Sequence, residues 1–157
     1  MSANQQATNS LQPDELRGRN LLLYDGLCPL CNGVVRFIAK HDHRGRIHFA
    51  AQQSKLARTL LAGHGCSADA LQGVALVHSL GTAQEGLFTN SDAVARALML
   101  LGPGWRMAGF ALRIIPRSLR EPAYYLVACW RYKLFGRYTY CPLPKYPERF
   151  IGFDDFS

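Results

Sequence analysis

Apolar positions along this chain keep two different periods, and the switches between them mark out its elements. Leu21-Leu22-Leu23-Tyr24 is an unbroken apolar run that stops at Asp25-Gly26, which predicts a strand over Leu21–Asp25. Cys31, Val34, Val35 and Ile38 then recur at helical spacing, so Asn32 to His41 reads as an amphipathic helix. A short second strand is expected at Ile47–Ala50, after the Arg44-Gly45 turn. Ser54 is placed to cap a helix running to about Ala62, ended by Gly63 and Gly65. Val74–His78 and Glu85–Thr89 flank Ser79-Leu80-Gly81-Thr82 and read as a hairpin. Ser91 is expected to cap a helix with Val94, Leu98 and Leu101 on one face, stopped by Gly102-Pro103. Two further helices follow, about Trp105–Ile115 and Pro122–Phe135, with Pro122 in a first turn and Gly136 as the stop.

That order, βαβα followed by ββα, is the order of a thioredoxin-like α/β domain, here with additional C-terminal helices at about 104–136. Residues 1–19 read as a polar tail and 20–157 as one domain. At 157 residues the chain is long enough to bury a core without covalent staples. No run approaches the ~18–20 uninterrupted apolar residues of a transmembrane helix. The opening Met-Ser-Ala-Asn-Gln-Gln-Ala-Thr lacks the basic and apolar regions of a signal peptide, so a cytoplasmic location is expected. Five cysteines is an odd number, and in a reducing compartment they do not imply a disulfide scaffold. A C-x-x-C in that setting points to catalysis or metal binding.

The motif is Cys28-Pro29-Leu30-Cys31, placed where a strand hands over to a helix. Unpaired N–H groups and partial positive charge at a helix start favour a thiolate, the reactive form of cysteine. Two intervening residues leave the sulfurs close enough to bond. Cys31 lies on the apolar stripe and should point inward, whereas Cys28 precedes the first turn, from which a side chain can reach solvent. The expected roles follow: Cys28 attacks a substrate disulfide, and Cys31 resolves the mixed disulfide. Asp25, three residues before Cys28, has two readings. It can take the Cys31 proton as a general base, or it can simply make a good turn with Gly26. A zinc site is the chemical rival, since His41 and His43 follow the cysteines. The H-x-H spacing does not match a zinc finger, and nine helical residues, about 13 Å, separate the imidazoles from Cys31. A site built from Cys28 and Cys31 with Cys141 is the remaining metal arrangement, and the expectation is no metal. With neither a G-x-G-x-x-G after a strand nor a Walker-type loop, no organic cofactor is implied. Cys129, in an apolar helical stretch, is expected to be buried, and Cys66, between Gly65 and Ser67, to be exposed.

Charge adds a second theme. The formal net charge of +7 lies within residues 105–149, where nine basic residues face two acidic ones and leave the rest of the chain neutral. The same segment is rich in aromatics, among them Trp105, Phe110, Tyr124, Tyr125, Trp130, Tyr132 and Phe135. It suits nucleic acid, an anionic membrane or an acidic substrate, or else a plain helical lid whose arginines pair locally. Singly spaced arginines are not a dense basic run, so no nucleic acid is expected as a partner. The expected partners are a disulfide-containing substrate and a dithiol reductant, with weak membrane-surface contact as a further expectation. The alternative to an enzyme is a redox-switched binding module that uses its basic aromatic helices on a membrane surface or protein.

With Asp25, Cys28 and Cys31 in place, the chain resembles the DCC family of thiol-disulfide oxidoreductases, named for Asp-Cys-Cys. The resemblance runs from about Leu21 to Phe150. It includes Tyr24-Asp25-Gly26-x-Cys28-x-x-Cys31-Asn32-Gly33, Phe49-Ala50-Ala51-Gln52-Gln53-Ser54 and Ser91. Late in the chain it includes Ile115-Pro116-Arg117, Arg131-Tyr132-Lys133-x-Phe135-Gly136 and Cys141. It implies a thioredoxin-like fold, dithiol–disulfide oxidoreductase activity, and Asp25, Cys28 and Cys31 as the motif positions. It also draws attention to Cys141, either a third redox thiol or a gap-filling side chain. Thioredoxins place a cis-proline just before the third strand; here Leu71-Gln72-Gly73 stands there, which puts substrate docking by strand pairing in doubt. The added helices are expected to reshape the site, with Arg113, Arg117, Arg120 or Arg131 near its opening.

Overall fold

A computed structural model describes residues 14–139 and 147–151. The elements follow in the expected order. They are β1 (Asn20–Tyr24), α1 (Pro29–His41), β2 (Ile47–Ala51), α2 (Lys55–Gly63), β3 (Ala75–His78), β4 (Gly86–Thr89), α3 (Asn90–Leu101), α4 (Pro103–Ile114) and α5 (Arg117–Phe135). The four strands form one mixed sheet in the order β2-β1-β3-β4, with β1 parallel to β2 and both β1–β3 and β3–β4 antiparallel. This is a thioredoxin-like sheet, and β1 lies inside it with every residue buried.

Alternation along β1 sorts the core into two layers. Leu22 and Tyr24 face one side and pack in the cluster of Val35, Ile38, Phe49, Ala93 and Ala97, which belong to α1, β2 and α3. Leu21 and Leu23 face the other side, with Ala57 and Leu61 of α2. Leu16, which the sequence reading places in the polar tail, joins this second layer at 1% exposure. The free edge of β2 is covered by a parallel bridge from Phe49 to Phe150 and by the Ile151 N–H on the Phe49 carbonyl at 2.8 Å. Arg149 anchors this strap by donating to Asp42 and to the Ile47 carbonyl.

Two local expectations are corrected. Ser54 caps α2, its Oγ accepting the Ala57 N–H at 3.2 Å. Ser91, by contrast, does not cap α3: Thr89 holds that position without a side-chain bond, and Ser91 is buried inside the first turn. Its hydroxyl donates to Glu121 of α5, so a tertiary partner takes the oxygen that the local pattern assigns to a cap. Pro122 is not in a first turn either. α5 starts five residues earlier, with the Leu119 and Arg120 N–H groups on the Pro116 carbonyl, and Pro122 lies within the helix.

Candidate active site

The turn between β1 and α1 builds the site. Asp25 closes the strand; its Oδ1 accepts the Leu27 N–H at 3.1 Å, and its carbonyl accepts the Cys28 N–H at 3.2 Å. Asn32, buried in α1, donates from Nδ2 to the carbonyls of Gly26 and Cys28, both at 2.9 Å. These bonds fix the turn without using either sulfur. Cys28 is the N-cap of α1, in extended backbone, and Pro29 opens the helix where its missing N–H is harmless. The Cys28 Sγ takes the place that a serine or aspartate oxygen fills at other helix starts, accepting the Cys31 N–H at 3.3 Å.

That capping geometry overturns one expectation. Cys28 does not reach solvent: it is 0% exposed, because its sulfur turns back over the helix end into the cluster with Leu22 and Tyr24. Cys31 lies on the inward stripe as expected, at 6% exposure. The two thiols are nevertheless electrostatically unequal. Cys28 is lowered from 9.0 to about 6, first by the hydrogen bond from the Cys31 thiol, then by the Cys31 N–H and the charge of Arg131, against burial and Asp25. Cys31 is pushed up, first because its thiol donates to Cys28, then by burial and by the negative sulfur beside it. One sulfur collects donors and the other holds the proton.

The third contributor comes from about a hundred residues downstream. Arg131 of α5 places Nη1 3.8 Å from the Cys31 Sγ and Nη2 3.5 Å from Asp25 Oδ2. Burial by itself would lower the pKa of this guanidinium, but Cys31, Tyr132 and Cys28 raise it. The Tyr132 hydroxyl also donates to Asp25 Oδ2, and burial followed by that bond pushes its pKa up to about 12. Gln53 completes the carboxylate's surroundings, donating from Nε2 to Oδ1 at 2.9 Å. Asp25 is therefore hydrogen-bonded on both oxygens and reaches the dithiol through Arg131. Of the four arginines expected near the opening, Arg131 arrives. Arg120 and Arg117 pair with Asp92, and Arg113 is exposed. The Tyr132 and Gln53 contacts were not anticipated, although both residues lie in the stretches that carry the family resemblance.

Arg131 also stands between two cavities. On one side is a polar cleft of about 370 Å³ lined by Asp25, Gln53, Arg58, Asp69 and Arg137. On the other is an apolar cavity of about 220 Å³ lined by Leu30, Cys31, Val34, Val94, Tyr124 and Val127. The second brings open space to Cys31. Across it the Tyr124 hydroxyl accepts the Val74 N–H at 3.1 Å, so the backbone donor at the start of β3 is already occupied by α5.

Cys66 is half-buried. Cys129 corrects another expectation: it is exposed, because α5 turns a polar face inward and leaves its apolar face outside. Cys141, the candidate third thiol or third metal ligand, lies outside the described residues. Among the described residues, no group of three or more His, Cys, Asp or Glu side chains could hold a metal ion. No described helix is long and apolar enough to cross a membrane.

Comparison with known proteins bears on the family of the chain. The family model described as DCC1-like thiol-disulfide oxidoreductase matches residues 22–137. The chain is 34% identical over 135 residues to the uncharacterised protein YuxK of Bacillus subtilis, covering 83% of this chain and 93% of that one. It is also 34% identical over 125 residues to a DCC family protein of Arabidopsis thaliana described as chloroplastic, covering 80% of this chain and 70% of that one. No solved structure matches.

Proposed function

The chain belongs to the DCC1-like thiol-disulfide oxidoreductase family, and we propose that it exchanges disulfides through Cys28 and Cys31, with Cys28 as the attacking sulfur. The observation that carries the assignment is the capping geometry: the Cys28 Sγ accepts the Cys31 N–H at the start of α1 with Arg131 nearby. Hydrogen bonds from the Cys31 thiol and N–H, with the charge of Arg131, lower the Cys28 pKa and favour the thiolate, while the bond to Cys28, burial and the neighbouring sulfur hold the proton on Cys31. In the first step the Cys28 thiolate attacks one sulfur of a substrate disulfide. The S–S bond breaks, a mixed disulfide forms, and the other sulfur leaves as a thiolate that takes a proton. In the second step Cys31 loses its proton and attacks the Cys28 sulfur. The second substrate sulfur leaves, and a Cys28–Cys31 disulfide remains. Two electrons have passed to the substrate, and a dithiol reductant returns them.

Asp25 is the candidate acceptor for the Cys31 proton, since both groups lie against the Arg131 guanidinium. Taking that proton requires the carboxylate to exchange its bond to Tyr132. Both sulfurs are withdrawn from bulk water, and the cavity that Cys31 lines is the open space beside the dithiol, which a substrate must widen to reach the Cys28 sulfur.

The test is the equilibrium between the dithiol and glutathione buffers, with free thiols counted by mass spectrometry. A reversible two-electron couple within about −120 to −270 mV, lost in Cys28→Ser, is the expected result. Absence of any couple sinks the enzymatic reading. For Asp25, an unchanged pH–rate profile of disulfide reduction in Asp25→Asn removes the base assignment.

A further inference from the structure

α5 is built inside out. Its buried residues are Arg120 and Arg131, with Glu121, Tyr124 and Tyr132 beside them at helical spacing, and each of these five bonds to the α3 end, to β3 or to the dithiol turn. The opposite face presents Leu119, Leu126, Val127, Trp130, Leu134 and Phe135 at 53–67% exposure. α4 is docked closely on α3: a Cβ on its Gly109 would lie 2.6 Å from Met99 and 2.7 Å from the Ala95 carbonyl. It turns Met107 and Ile114 outward at 75% and 82% exposure. Every large hydrophobic residue that is exposed among the described residues lies between Trp105 and Tyr138. The exposed cations Arg106, Arg113 and Lys133 lie on these two helices, while Arg117 is paired with Asp92 and Arg137 lines the polar cleft. The one acidic residue of the segment, Glu121, is held by Ser91.

We propose that the exposed sides of α4 and α5 dock on an anionic lipid bilayer, lying in the headgroup region. Charge complementarity selects this occupant. A second copy of the chain would bring Arg106, Arg113 and Lys133 against their like, whereas an anionic surface attracts each of them and accepts the apolar and aromatic side chains between the headgroups. Met107, Ile114, Leu119, Leu126, Trp130 and Leu134 line neither of the two cavities at the site. Arg106 already lies over the Phe110 ring, 5.8 Å from its centre, with its charge free to meet a phosphate.

The test is co-sedimentation of the full chain with vesicles of phosphatidylcholine alone and with phosphatidylglycerol added. The expected result is binding that requires phosphatidylglycerol and is lost at high salt. Leu126→Glu and Ile114→Glu should each weaken it about tenfold or more. Arg113→Gln and Lys133→Gln should each weaken it about fivefold. All four side chains are exposed, so circular dichroism and the thiol count should stay unchanged. Four outcomes overturn the proposal: no sedimentation with phosphatidylglycerol at low salt, equal binding to both vesicles, binding indifferent to all four substitutions, or light scattering that shows a dimer broken by Leu126→Glu without vesicle binding. Capture of this face by an acidic protein, with vesicles ignored, also overturns it.

Discussion

α1 and α5 meet at the dithiol, yet they reach it by opposite means. α1 buries Val35, Ile38 and Ala39 behind Cys31, the ordinary arrangement in which apolar side chains leave water. α5 buries two arginines and leaves its apolar side chains outside. The first helix is held by area and the second by specific polar bonds. Burial is non-directional and tolerates exchange of similar volumes, whereas a buried guanidinium needs its partners in place. α1 can therefore be the permanent wall of the site, and α5 the element whose attachment depends on the state of the groups it touches. In the proposed reaction, closing a Cys28–Cys31 disulfide removes the thiolate charge that favours the position of Arg131.

The largest expected effect comes from breaking the polar attachment. Arg131→Ala should destabilise the reduced protein by about 3 kcal/mol in urea unfolding, the usual cost of orphaning one partner of a buried pair. It should also raise the midpoint of Cys28 alkylation against pH. In the unaltered chain the lowered pKa puts that midpoint at about 6 rather than 9.0, so the rate should already be near its plateau at neutral pH. Arg131 favours the anion, and its removal must move the midpoint up. If the midpoint stays put while stability falls, Arg131 holds the helix but does not tune the sulfur.

The apolar attachment gives the next test. Ile38→Ala should cost about 2–3 kcal/mol through lost burial and a cavity, yet leave the alkylation midpoint in place. A shift comparable to that of Arg131→Ala would erase the distinction between the two helices. Tyr132→Phe is expected to cost less, about 1–2 kcal/mol, by removing one donor to Asp25. The smallest effect belongs to the outer face of α5: Leu126→Ser should change stability by no more than about 0.5 kcal/mol, despite removing a large apolar side chain. A larger loss would mean that this face is covered in the folded chain.

Much of the fold was legible because its signals are short-ranged. The apolar run of β1, the stripe of α1, the Ser54 cap and the Gly102-Pro103 break each act within a few residues, and each element formed close to where its pattern lies. The same local logic failed wherever a distant partner intervened. Ser91 has the chemistry of a cap, but Glu121 claims its hydroxyl. Cys28 precedes the first turn, but as the cap it turns inward. Cys129 and its neighbours have the composition of a buried helix face, but the polar stripe of α5 won the inward position because Asp92, Val74 and Asp25 offered it bonds.

The sequence alone determined the order of elements, the strand-to-helix turn and the two-residue spacing of the dithiol, since these rest on backbone preference and side chains one helical turn apart. Tertiary structure decided which sulfur collects donors, what stands beside Asp25 and which face of α5 meets water. Arg131 lies 100 residues from Cys31 and 106 from Asp25. No window of local periodicity spans that distance; only the closed sheet and its packed helices bring the guanidinium to the sulfur.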